Sequence, residues 1–210
     1  MLTWDASGDF LEVVDTLEEI TWKDGCGGEE VTLNAWRFSE RSIASPEGSS
    51  SFTVFESTWQ LQPVAGVESP AVGDRLVESD GICWVITEVK RLRGKTRFSC
   101  DARRIVIRRD MSEWIDLQEA QWQAGSPPTI QGWTTVGLPL RGCVELVGSV
   151  VDSEDPSSTN QTYRITLSEP VSATGNHRFR THAGNTYRVE TEVTQPVGPL
   201  TWSYNAMLES

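Results

Sequence analysis

The chain has no apolar run near the roughly 20 residues that a membrane helix needs. Its first ten residues carry Asp5 and Asp9 and no basic residue. The first absence argues against a membrane-spanning helix, the second against a secretory leader. Histidine is nearly missing. The only two, His177 and His182, are spaced for neither a shared helix face nor a shared strand face, so joint metal ligation is not expected. Cys26, Cys83, Cys100 and Cys143 include no C-x-x-C pair and fit no zinc spacing. Reduced thiols are expected rather than a disulfide scaffold. Gly25-x-Gly27-Gly28 lacks the lysine and helix of a phosphate loop. No Ser, Cys or Thr lies in a nucleophile motif, and scattered carboxylates do not define a glycosidase pair. These absences predict no cofactor, no metal and no enzymatic activity.

What is present is β-rich and repeated. The chain has 210 residues, 38% hydrophobic, with nine Trp and six Phe. That suffices for one large all-β domain or two of about 100 residues. A domain of that size buries a limited share of its surface and gains from a partner. Asp15–Trp22 resembles Asp116–Trp122, and Ser57–Val64 resembles Arg164–Val171. Gly73-Asp74-Arg75 faces Gly175-Asn176-His177, and Thr87-Glu88-Val89 faces Thr191-Glu192-Val193. The order is kept and the offset drifts only slightly, as loop insertions would cause. The expected fold class is therefore all-β: two tandem small barrel or sandwich modules, residues 1–110 with an acidic N-terminal arm and residues 111–210.

Period-2 alternation predicts a strand from Ile82 to Val89, a charged turn Lys90–Lys95, and a strand from Thr96 to Ile105. It puts Cys83, Val85, Thr87 and Val89 on one face, which Phe98, Cys100 and Ala102 can share. The matching positions of the second module are Tyr187 and Tyr204, so the two cores should fill differently. Buried free thiols are favoured over a Cys83–Cys100 disulfide. Further strands are expected at Val31–Phe38, Phe52–Gln62, Gly73 onward, Cys143–Val151 and Thr162–Leu167, and a final hairpin over Phe179–Met207. Asp9–Ile20 is a short helix or an arm. Loops are expected at Ser39–Ser51, Pro63–Pro70, Gly125–Pro128 and Asp152–Gln161.

Charge is unevenly spread. The formal net charge is −12, which argues against a general nucleic-acid coat. The first 30 residues hold nine acids against Lys23 alone, whereas Lys90–Arg109 holds nine of the 18 basic residues with Asp101 the only acid. Lys90, Arg91, Arg93, Lys95, Arg97, Arg103 and Arg104 are thus candidates for contact with an acidic neighbouring subunit or with DNA phosphates. The plain alternative is a solvated hairpin. Protein contact is favoured because no aromatic interrupts Lys90–Lys95.

Val72-Gly73-Asp74-Arg75-Leu76 followed by Asp80–Val89 resembles the head–tail joining proteins of tailed-phage necks, the stopper or head-completion family. The similarity covers most of residues 10–108 and, more faintly, 112–208. It departs in the tandem duplication, in Asn176 where the pattern has Asp, and in Thr186-Tyr187-Arg188 where the first copy has Cys83-Trp84. The resemblance implies small barrels in a homo-oligomeric ring, hexameric or dodecamer-like, within a virion assembled in host cytoplasm. Its partners would be the portal or adaptor protein and the tail proteins, and packaged DNA would pass through without sequence-specific binding. No membrane is involved. It places candidate docking or plug loops at Ser45, Pro46, Glu47 and Gly48 and at Asp152 and Asp155. Other virion β-modules (tail terminator, tail tube, baseplate, capsid decoration) and a carbohydrate-binding module with exposed Trp are the competing expectations.

Overall fold

The computed structural model describes residues 17–25, 30–43, 51–63, 69–92, 97–125, 127–151, 159–192 and 201–209. The chain divides into two compact units, Met1–Ile105 and Val106–Ser210. The first holds β1 (Leu17–Lys23), β2 (Glu30–Ile43), β3 (Phe52–Leu61), β4 (Arg75–Glu78), β5 (Cys83–Arg91) and β6 (Phe98–Ile107). The second holds β7 (Glu113–Gln123), β8 (Thr129–Val151), β9 (Thr159–Val171), β10 (His177–Thr181), β11 (Thr186–Glu192) and β12 (Thr201–Glu209). Each unit is a closed barrel. Reading around them, β1-β2-β3-β6-β5-β4 is matched by β7-β8-β9-β12-β11-β10. The fold class is all-β, and the two barrels share one strand order.

Hydrogen bonds fix which residues correspond. In the β4–β5 turn, Glu78 N–H donates to the Ile82 carbonyl (2.8 Å) and Gly81 N–H to the Glu78 carbonyl (2.9 Å). In the β10–β11 turn, Thr181 N–H donates to Asn185 and Gly184 N–H to Thr181, both at 2.9 Å. Gly81 and Gly184 take φ of 86° and 98°, a region that glycine enters without a Cβ penalty. Trp84 therefore corresponds to Tyr187 and Ile86 to Val189. A bulge follows each of them, between Ile86 and Glu88 and between Val189 and Thr191.

This register corrects several sequence expectations, the match of Cys83 to Tyr187 among them. Trp22 and Trp122 are not equivalent: Ile20 pairs with Glu78, and Ile115 with Thr181, which makes Leu117 the counterpart of Trp22. The match of Asp74 is His177 rather than Asn176. The face assignment of β5 also fails, because the bulge at Thr87 shifts the alternation. Trp84 and Ile86 join the core with Phe98, Cys100 and Ala102, and Val89 packs against it from beyond the bulge. Cys83 lies outside that cluster, half-buried and opposite Val77, and Cys83, Cys100 and Cys143 are free thiols.

The cores exchange large and small groups, as two fillings of one barrel must to keep density. Leu76, Trp84, Trp59 and Cys100 in the first have Phe179, Tyr187, Ile165 and Tyr204 in the second. The Tyr204 hydroxyl donates to the Val171 carbonyl (2.6 Å) and accepts from Ala173 N–H (3.1 Å), so its polar tip is satisfied at no exposure. Ala35, fully buried, corresponds to Gly142. There a Cβ would lie 2.5 Å from Ile115 Cδ1 and 3.1 Å from both Leu167 Cδ2 and the Thr166 carbonyl.

One loop expectation is also corrected, and one strand that the sequence left unassigned is added. Ser39–Ile43 continues β2, paired with Val54–Thr58 after a bulge at Phe38. Residues 129–141, assigned no strand from the sequence, are the first half of β8, paired with β7. The cause is an elongated hairpin. Ile20 faces Leu33 across β1–β2, 13 positions on, whereas Ile115 faces Leu140 across β7–β8, 25 positions on. The second module thus carries an arm that the first lacks.

Candidate functional site

Placing the basic segment within the first barrel changes what it can do. Lys90 pairs with Glu88 (2.9 Å) and Asp101 (3.5 Å), and Arg103 with Glu56 (2.7 Å). Arg104 pairs with Glu40 (3.2 Å). Arg97 donates to Gln60 Oε1 (2.9 Å), and Arg91 stacks on Phe98 at 5.6 Å. Burial pushes the Glu56 carboxyl up, but hydrogen bonds from Arg103 and Arg41 outweigh it and hold the group below the usual glutamate range. Lys90, Arg103 and Arg104 are therefore paired with acids of their own barrel. The remaining candidates, Arg93, Lys95, Ser45, Pro46, Glu47, Gly48, Asp152 and Asp155, lie outside the described residues.

The strongest charge constellation is one the sequence reading missed. Val31, Leu33 and Ala35 alternate inward along β2, and the next inward position is Arg37. Phe98, Cys100 and Ala102 alternate inward along β6, and the next is Arg104. Glu18 precedes inward Ile20, and Glu78 follows inward Leu76. All four charges thus fall at one end of the barrel. Arg37 bonds Glu18 (2.5 Å), Glu78 (2.6 Å) and Glu40 (2.7 Å). Its guanidinium lies 4.6 Å from the Trp59 ring, and that of Arg104 lies 4.7 Å from Trp84 and 4.6 Å from Phe55. Trp84 Nε1 donates to Glu78. Burial works against the Arg37 charge, and the hydrogen bonds it donates to its three carboxylates more than restore it. The result is an ionic plug over the Trp59–Trp84 pair. A charge at an inward parity position was the signal for it.

Among the described residues, the same end of the second barrel has no such plug. Arg37 corresponds to Val144, Arg104 to Leu208, Glu78 to Thr181 and Glu18 to Glu113. Tyr163 and Tyr187 meet there edge to face at 5.1 Å. Leu146 pairs with Tyr163 and Leu208 with Tyr187, and these leucines are 56% and 45% exposed. Burial alone pushes the Glu113 carboxyl up, in contrast to Glu56.

The resemblance-bearing residues of the first module serve the turn into β4. Buried Asp74 accepts from Trp22 Nε1 (2.9 Å), Gly25 N–H (3.0 Å) and Ala71 N–H (2.8 Å). In the second module His177 Nδ1 accepts from Thr174 N–H (3.1 Å), so the same turn is closed by an imidazole. Among the described residues no group of three or more His, Cys, Asp or Glu is placed to hold a metal, and no helix is long and apolar enough to cross a membrane. No family model matches the chain, and neither does any curated protein or solved structure.

Proposed function

We propose that the chain is a structural, non-enzymatic ring component of a tailed-phage neck, acting as a stopper or adaptor that extends the portal channel, retains DNA and docks the tail. The observation that carries this reading is the repetition of one closed barrel, with one strand order, twice in a single chain. A duplicated module lets three chains make a pseudo-sixfold ring, or six a pseudo-twelvefold one. The charge pattern supports it. A net charge of −12, with Lys90, Arg103 and Arg104 paired to acids of their own barrel, gives DNA little to bind as it slides through. The Gly73-Asp74-Arg75 and Asp80–Val89 resemblance supplies the link to the neck.

Immunogold labelling of intact and tail-less particles tests the reading. Label confined to the head–tail junction is the expected result. Label on the tail tube, baseplate or capsid shell assigns a different virion role, and particles without the chain sink the reading.

A further inference from the structure

Two features separate the second module from the first, and they lie at opposite ends of one barrel. The first is the β7–β8 arm. From Ala120 to Leu140 no residue is charged, in a chain that is 23% charged overall. Trp122, Ile130, Val136 and Leu138 are exposed, Leu138 by 84%. β10 pairs with β7 only as far as Glu119, and β9 joins β8 only from Gly142. Among the described residues the outer edge of Thr129–Arg141 is paired with no strand. Such an edge is a template for association. The second feature is the barrel end at which β7 begins, where Leu146, Tyr163, Tyr187 and Leu208 stand in place of the ionic plug. The strand direction of β7, from Glu113 at this end to Gln123 in the arm, puts the two surfaces apart. The first module has neither feature.

We infer that the arm of one chain seats on the unplugged barrel end of the second module of the next chain. The presence of both surfaces on one module argues for a second copy as the occupant, and charge limits where it can approach. Two molecules of net charge −12 repel, and the arm is the long uncharged stretch through which they can approach. The barrel end it would meet is aromatic and aliphatic apart from the partly buried Glu113. Co-occurrence argues for the pairing of these two surfaces, since one duplication product acquired both or kept both. Their placement at opposite ends makes the contact heterologous, which generates rings or filaments rather than stopping at a dimer. The inference rests on the ring reading for its expectation of a repeating neighbour, and it moves the subunit contact away from the basic hairpin.

Leu138→Asp disables the arm and Leu208→Asp the barrel end, both at exposed positions where the fold is undemanding. Size-exclusion chromatography with light scattering, alongside circular dichroism, reads the result. Wild type should assemble beyond a dimer, and each variant alone should be monomeric with unchanged β signal. An equimolar mixture should give a heterodimer, because each variant retains the surface the other lacks. Assembly by either variant alone, a monomeric mixture, or a monomeric wild type would overturn the inference. Insertion of the arm is tested separately from the neck reading: a chain absent from virions that still shows the mixing result keeps this contact and loses that role. A junction-located chain whose assembly ignores both substitutions does the reverse.

Discussion

At the scale of single residues, the chain assigns one carboxylate to each kind of work. Asp74 ties three separated donors to the start of β4. Asp74→Ala strands those donors in a buried site and should cost about 3 kcal/mol. Asp74→Asn keeps one acceptor oxygen and should cost less, both read by urea denaturation. Glu113 behaves in the opposite sense. Its folded pKa lies above the ordinary value of 4.5 because burial disfavours its charge. Its ionisation therefore weakens the fold as pH rises from that value through the raised one, and at lower pH the penalty is gone. Glu113→Gln should raise the melting temperature at pH 7 and leave it nearly unchanged near pH 4. A variant that melts lower at pH 7 would show that the carboxylate has a partner. These roles were partly legible. Arg37 and Arg104 sit at inward positions of strands whose alternation is plain in the sequence, and a charge there demands a partner. Glu40, three residues on in β2 itself, was within reach of the sequence, but Glu18 on β1 and Glu78 on β4 were not, because strand pairing and barrel closure bring them to Arg37.

At the scale of elements, the hairpins were legible and the register was not. β3, β4, β5 and β6 fall close to where alternation and turn residues put them. The error lay in bulges. One extra residue at Thr87 reverses every later side chain of β5, and period-2 reasoning carries no mark of it. The repeat was legible for the same reason that its details were misread. Similar Thr- and Val-rich strands align by composition at several offsets, whereas the hydrogen-bonded turns at Gly81 and Gly184 permit one. The tryptophan match failed because Trp122 belongs to the extended arm and Trp22 to the core. Core filling supplies a test of the corrected register. If Gly142 is the counterpart of Ala35, it is held to glycine by Ile115 and Leu167. Gly142→Ala should destabilise the second barrel by about 1–3 kcal/mol through overpacking. Pairing it with Ile115→Val, which withdraws the Cδ1 methyl, should recover part of that loss.

At the scale of the whole molecule, two barrels of one strand order have diverged at their ends. The first closes one end with Arg37, Arg104 and three glutamates. The second leaves leucine and tyrosine there and grows an uncharged arm at the other. The sequence showed two similar modules and the basic segment, but it could not show that Lys90, Arg103 and Arg104 pair with acids of their own barrel. The proposed apolar contact predicts a ring that high salt does not dissolve. Native mass spectrometry of the wild-type chain in ammonium acetate should show one closed species of three or six chains. A monomer at micromolar concentration, or an open ladder of sizes without a closed ring, would contradict the ring reading.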